Sequence, residues 1–186
     1  QEARKAGAYV KLVTGPVNLP DPNGVDITRV QTGVEMHSVV MSICRDMTID
    51  LFIAAAAVAD WKAVCLSEKL KKDVNTLSEI KWELNPDIVF DVSTLPQNRR
   101  PITVGFAAET EEIIKISDKL EKKRKDKKLD MLIANKVPES FNSENIEVNF
   151  IQKDKPVWIC KGTKNHVAKI ILETTQGMMS NNANQS

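Results

Sequence analysis

Three stretches of this sequence combine residue types that can do chemistry with positions able to present them. The first is Ala54-Ala55-Ala56-Ala57-Val58-Ala59-Asp60-Trp61, which closes an apolar run. Small side chains there let a ligand lie against the backbone, and Asp60 adds a carboxylate at the rim. Close packing against a helix, followed by an N-capping Asp, would use the same residues. The second is Gly105-Phe106-Ala107-Ala108-Glu109-Thr110, where a phenyl ring at a strand end can stack on a flat base. A core Phe followed by a capping Thr gives the same pattern. The third is a set of lysines. Lys69, Lys71 and Lys72 lie in a segment without periodicity, and residues 119–128 carry seven Lys/Arg against Glu121 and Asp126. Mobile point charges of this kind suit a phosphate-rich ligand. A solvated helix face reads the same way.

Other reactive side chains are sparse. His37 and His166 fall on helix surfaces, and Cys44, Cys65 and Cys160 have no spaced His partner, so neither a thiol nucleophile nor a zinc site is expected. Trp61, Trp82 and Trp158 are too scattered for a nucleic-acid stacking platform. Neither G-x-x-x-x-G-K-[ST] nor G-x-G-x-x-G occurs.

The elements that must position these groups alternate. Residues 1–6 read as the last turns of a helix ended by Gly7, with a strand over 8–14. A Pro/Asp/Gly loop leads to an alternating strand over 25–31, and Thr32 with Glu35 forms a capping box for a helix striped by Met36, Val39, Val40 and Ile43. Residues 50–58 read as a central strand buried on both faces. Further strands are expected over 80–84, 102–108 and 129–134. Helices are expected over 87–95 and, capped by Thr110, over 111–125. A hairpin over 146–151 and 157–160 precedes a helix opened by Thr163, and 177–186 reads as a disordered tail. The expected fold is α/β: a doubly wound, mostly parallel, Rossmann-like sheet with a C-terminal β-hairpin and ligands at the carboxyl ends of its strands. One domain over 1–176 accounts for the chain.

Bulk properties narrow the classes. With 186 residues, 42% hydrophobic and a net charge of +1, the chain can build a full core and lacks the basic surplus of a nucleic-acid or membrane-surface binder. Its longest apolar run, Leu51 to Ala59, is far short of the roughly 20 residues that cross a bilayer. No secretory signal is read at the start, and a cytoplasmic location is expected.

Taken together, AAAAVADW (54–61), EKLKK (68–72), NPDIV (85–89), VGFAAET (104–110), KKLDMLIAN (127–135) and FNSEN (141–145) resemble, in order and spacing, the phosphopantothenoylcysteine synthetase family, the ligases of coenzyme A biosynthesis. The likeness runs from Gly7 to about Glu173. AVADW is similar to the bacterial form, which implies CTP rather than ATP. The implied reaction joins 4'-phosphopantothenate to cysteine through an acyl-cytidylate, releasing pyrophosphate and then CMP, with Mg²⁺ assisting. Bacterial members commonly carry an upstream decarboxylase, whose FMN would be present only in such a fusion. Homodimers are typical, here through the C-terminal hairpin, which over 146–160 is expected to protrude as a dimer contact.

By motif, the resemblance places Ala54, Ala55 and Ala56 along the nucleotide and makes Asp60 a carboxylate on the nucleotide or its metal. It puts Lys69 on the phosphates and the acyl-cytidylate. Pro86, Asp87, Ile88 and Val89 would set helix-start amides near the nucleotide. Phe106 would line the base pocket, and Lys123 and Lys127 would hold the triphosphate; Asn142 is a family residue without an assigned role. The family opens with a strand, a T-A-G-x-T turn and an Asn-x-Ser-Ser-Gly segment, and this sequence starts after them. A nucleotide-binding but inactive fragment, or an NAD(P)-binding α/β domain, are the competing readings.

Overall fold

A computed structural model describes residues 1–64, 81–137 and 144–183. The chain runs α1 (Glu2–Lys5), β1 (Lys11–Thr14), β2 (Asp26–Arg29), α2 (Gly33–Asp46), β3 (Leu51–Ala54), β4 (Trp61–Ala63), β5 (Trp82–Leu84), α3 (Ile88–Ser93), β6 (Ile102–Glu109), a 3₁₀ turn (Ile113–Ile116), α4 (Ser117–Asp126), β7 (Met131–Lys136), β8 (Asn145–Gln152), β9 (Trp158–Thr163) and α5 (Lys164–Ala183). The principal sheet has the order β3-β6-β7-β8-β9. β3, β6 and β7 pair in parallel, whereas β8 and β9 add on antiparallel. β1 and β2 form a separate parallel pair, and β4 and β5 an antiparallel ribbon.

Alternation along the inner strands divides the core between two helical layers. Met131 and Ile133 of β7 pack with Val104, Phe150, Val167 and Ile171, joining one sheet face to α5. Leu132 and Ala134, one residue out of phase, pack with Ala107, Ile116, Leu120 and Leu129 beneath α4. A third cluster, Val30, Met36, Val40, Cys44, Ile88 and Val92, binds α2 to α3, with Val13 of β1 and Phe52 of β3 against it.

Local sequence accounts for most element ends. Thr32 Oγ1 accepts the Glu35 N–H at 3.1 Å, as an N-cap should. The Glu35 carboxylate reaches one residue further back than the usual capping box, accepting from Gln31 N–H at 2.8 Å. Gly7 adopts φ 89 just past α1, the conformation that favours glycine there. Thr163 Oγ1 caps α5 by accepting the His166 N–H at 3.1 Å.

Four sequence expectations are corrected. β3 is short and stands at one end of the principal sheet, with Ile53 39% exposed, rather than buried at its centre. Among the described residues β6 is its only strand partner. The helix expected from Glu111 is broken: Thr110 caps nothing, and α4 starts only at Ser117 after the 3₁₀ turn. That turn eclipses residues three apart, which lets Ile113 and Ile116 enter the core together at 6% and 7% exposure. The hairpin of β8 and β9 does not project; Val148, Phe150 and Ile151 are buried in the principal sheet. Finally, the last helix continues to Ala183 instead of giving way to a tail at 177, and Met178 packs against the core.

Candidate functional site

The carboxyl ends of β3 and β6 set the site's floor. Their register places Ala54 beside Gly105, the last pair between the two strands, and Ala55 and Ala56 follow directly in the chain. Gly105 allows a close approach: a Cβ there would stand 2.6 Å from Leu129 Cδ1. Past Ala54 the chain leaves regular structure, with Val58 N–H donating to Ala56 O at 3.1 Å. It is then held from across the ribbon. Asn85 Nδ2 donates to Ala59 O at 2.8 Å, and Asn85 N–H donates to Asp60 O at 2.8 Å. Gly33, the first residue of α2, packs on the same junction, since a Cβ there would lie 2.9 Å from Val58. The Asp60 carboxylate is exposed and makes no hydrogen bond or ion pair among the described residues, so it is available to a ligand.

Pro86 follows, and Asp87 caps α3, accepting the Phe90 N–H at 3.1 Å. The other carboxylate oxygen of Asp87 holds Lys127 Nζ. Ile88 is buried in the α2–α3 cluster, and Val89 packs against the α4 layer, so the start of α3 is fixed from two sides. Lys123 lies one helical turn before Lys127 and pairs with Glu109, at the end of β6, at 3.3 Å. Lys119 reaches the same carboxylate at 3.6 Å. Lys123 and Lys127 thus each rest on a carboxylate at a strand or helix end.

Phe106 is 37% exposed and pairs with Ile133, on the sheet face shared with Val104 and α5. Glu109 and its lysines belong to the opposite, α4 face. A ligand touching Phe106 and Lys123 would therefore cross the carboxyl edge of β6, where open α/β sheets bind ligands. Lys69 and Asn142 lie outside the described residues, as do Lys71, Lys72 and Cys65.

Among the described residues no three His, Cys, Asp or Glu side chains converge to hold a metal. One free carboxylate suits Mg²⁺ delivered with phosphates, since that ion keeps several waters and needs few protein oxygens. Burial raises the thiols of Cys44 and Cys160 above their ordinary range, which makes them poor nucleophiles. His37 Nε2 meets Asp91 Oδ2 at 2.7 Å and links α2 to α3, and Trp158 stacks on Phe150 at 3.9 Å; both serve packing. Arg124, grouped by sequence with the solvated lysines, is instead 5% exposed, paired with Glu121 at 2.7 Å.

Three residues near these groups escaped the sequence reading: Asn85 as a tie, Glu109 as a lysine partner and Gly33 as a contact. Asn85 and Glu109 stand inside quoted motifs, so position drew attention to them, but their partners lie in other elements, 10 or more residues away.

The chain is thus an α/β domain with a mostly parallel central sheet, and small residues, an exposed carboxylate and carboxylate-paired lysines gather at its strand ends. Residues 1–178 match the model of the DNA/pantothenate metabolism flavoprotein C-terminal domain, and the chain belongs to that family. It is 45% identical over 159 residues to the coenzyme A biosynthesis bifunctional protein CoaBC of Vibrio cholerae, covering 82% of this chain and 38% of that protein. Against CoaBC of Escherichia coli K12 it is 40% identical over 158 residues, covering 82% and 37%. The chain thus spans under two-fifths of these relatives. Its fold is similar to the crystal structure of the C-terminal domain of CoaBC, with TM-score 0.76 and 27% identity over 96% of this chain and 79% of the other. A Streptococcus pneumoniae DNA/pantothenate metabolism flavoprotein shares the fold at TM-score 0.75 and 20% identity, covering 95% and 84%.

Proposed function

We propose that this domain is the ligase of coenzyme A biosynthesis that joins 4'-phosphopantothenate to cysteine at the expense of CTP. The observation that carries the reading is the pairing of Lys127 with Asp87 at the start of α3, beside Lys123 on Glu109, within a member of this family. In the first half-reaction a carboxylate oxygen of 4'-phosphopantothenate attacks the α-phosphorus of CTP. The bond to the β-phosphate oxygen breaks, pyrophosphate leaves, and an acyl-cytidylate forms. In the second, the cysteine amine attacks the acyl carbon, CMP leaves with the acyl oxygen, and the amine proton passes to solvent.

No protein nucleophile takes part. The chain's task is to align two anions and offset their charge. Lys123 and Lys127 exchange their carboxylates for β- and γ-phosphate oxygens, and Lys69 reaches the phosphates and then the acyl-cytidylate. Ala54 to Ala56 offer main-chain groups to the nucleotide, Pro86 to Val89 bring helix-start amides to it, and Phe106 takes the base. Asp60 would hold the nucleotide or its Mg²⁺, and the ion, when bound, would neutralise phosphate charge. The relatives' names as bifunctional proteins support an upstream decarboxylase in the natural polypeptide, with FMN belonging to that part. Homodimerisation through the hairpin fits Val157, just before β9, and Ile159 within it, 40% and 46% exposed where β9 has no second strand partner among the described residues.

Thermal unfolding with Mg²⁺ and CTP, ATP or NAD(P) in parallel tests the reading. A ligand that binds only the folded state adds about 2.7 kcal/mol at 100 times its dissociation constant, so CTP should raise Tm most. A rise with NAD(P) and none with CTP would overturn it.

A further inference from the structure

Three consecutive carbonyls at the turn after α4 each accept a hydrogen bond from a side chain on a different segment. Lys127 O accepts from Ser93 Oγ at 2.6 Å, Lys128 O from Arg100 Nη2 at 3.0 Å, and Leu129 O from Arg124 Nη1 at 2.7 Å. These carbonyls lie at or beyond a helix end, where intrahelical donors have run out. Water would normally satisfy such groups; here protein donors fix them in place.

The donors are themselves held. Ser93, at the end of α3, is 2% exposed, and its own carbonyl accepts Arg100 Nε at 2.8 Å. Arg100 Nη2 also meets Asp130 Oδ2 at 2.9 Å, and that carboxylate takes the Thr103 N–H at 2.7 Å. Lys128 sits at φ 52, a sparsely populated conformation that persists where surrounding contacts over-determine it.

The consequence falls on Lys127. Its ammonium meets Asp87 at the first turn of α3, while its carbonyl is tied to Ser93 at the last turn of the same helix. α3 therefore holds both ends of one lysine, like a ruler. An ammonium on a flexible four-carbon stem reaches wherever its Cα allows, so fixing the backbone decides where that charge can go.

We infer that Ser93 and Arg100 are positioning residues, which hold the main chain at Lys127 and Lys128 so that Lys127 delivers its charge to the nucleotide phosphates at the start of α3. Neither touches substrate. This inference rests on the proposed CTP site.

Calorimetric titration of Mg²⁺-CTP into the full-length protein tests it with Ser93→Ala, Lys127→Ala and the double variant. Ser93→Ala removes the hydroxyl that reaches Lys127 O and, at 3.0 Å, Phe90 O, and should weaken CTP by about three- to tenfold, with KM for cysteine unchanged. In the Lys127→Ala background the same change should cost nothing further, because the residue it positions is gone. Arg100→Lys keeps the charge but loses the fork that spans Lys128 O and Ser93 O, and should show the same non-additivity, which keeps the test open if Ser93→Ala does not fold. Equal losses with and without Lys127 would mean a general structural role and overturn the inference. CTP binding that survives Lys127→Ala unchanged would overturn it while sparing the nucleotide reading. A wild-type protein that binds no CTP would remove both.

Discussion

At the scale of single residues, charge in this domain divides into two kinds. Lys123 and Lys127 are 44% and 38% exposed at their side chains and rest on carboxylates at the strand and helix ends, so solvent screens both pairs and an anion can exchange for either partner. Arg124 is the opposite case. It is buried, forks onto both oxygens of Glu121 at 2.7 and 2.8 Å, and donates from its third nitrogen, Nη1, to Leu129 O. The hydrogen bond from Arg124, aided by its charge, lowers the Glu121 carboxyl below the ordinary carboxylate range. A carboxyl lowered in the folded state contributes stability that is present above its unfolded pKa, about 4.3, and is lost as pH falls through the folded value. Wild type should therefore lose stability relative to Glu121→Gln as pH drops from about 5 through the acid range, read from urea midpoints at each pH. Parallel curves would show that the pair does not couple to folding. Sequence spacing alone could not separate Arg124 from its lysine neighbours, because the run 119–128 has no apolar period beyond Leu120.

At the scale of elements, the pattern of helices, strands and loops was legible wherever local chemistry decides the outcome. Thr32 with Glu35, Gly7, Asp87 and Thr163 mark real element ends because caps and positive φ are set within four residues. Elements decided at longer range were not. β3 reads as a wholly apolar central strand, yet it stands at the end of its sheet, since composition reports burial propensity and not the number of strand neighbours. The 3₁₀ turn at Ile113–Ile116 was likewise illegible, because two isoleucines three apart share a face in an α-helix as well as in a 3₁₀ turn. Gly105 carries a testable consequence at this scale. Leu129, which a Cβ at 105 would meet at 2.6 Å, is 4% exposed and packed in the α4 layer, with little room to retreat. Gly105→Ala should cost about 1–3 kcal/mol of stability by overpacking, measured by denaturant unfolding. An unchanged midpoint would show that the layer yields at no cost.

At the scale of the whole molecule, the order of strands explains why chemistry gathers where it does. Parallel β3, β6 and β7 point their carboxyl ends the same way, and Ala54, Phe106, Glu109 and the start of α3 follow from that shared direction. Two of the motifs that carry the resemblance, AAAAVADW and VGFAAET, stand at these ends. The site's ion pairs were not legible: which carboxylate meets Lys123 or Lys127 depends on separations of 14 and 40 residues. The proposed chemistry makes a demand on the products that no binding measurement can replace. Incubation of the full-length protein with 4'-phosphopantothenate, cysteine and Mg²⁺-CTP, followed by separation of the nucleotides, should give CMP and pyrophosphate in step with the amide product. CDP with inorganic phosphate would place the attack at the γ-phosphorus, and intact CTP would mean no ligase activity; either result would contradict an acyl-cytidylate ligase.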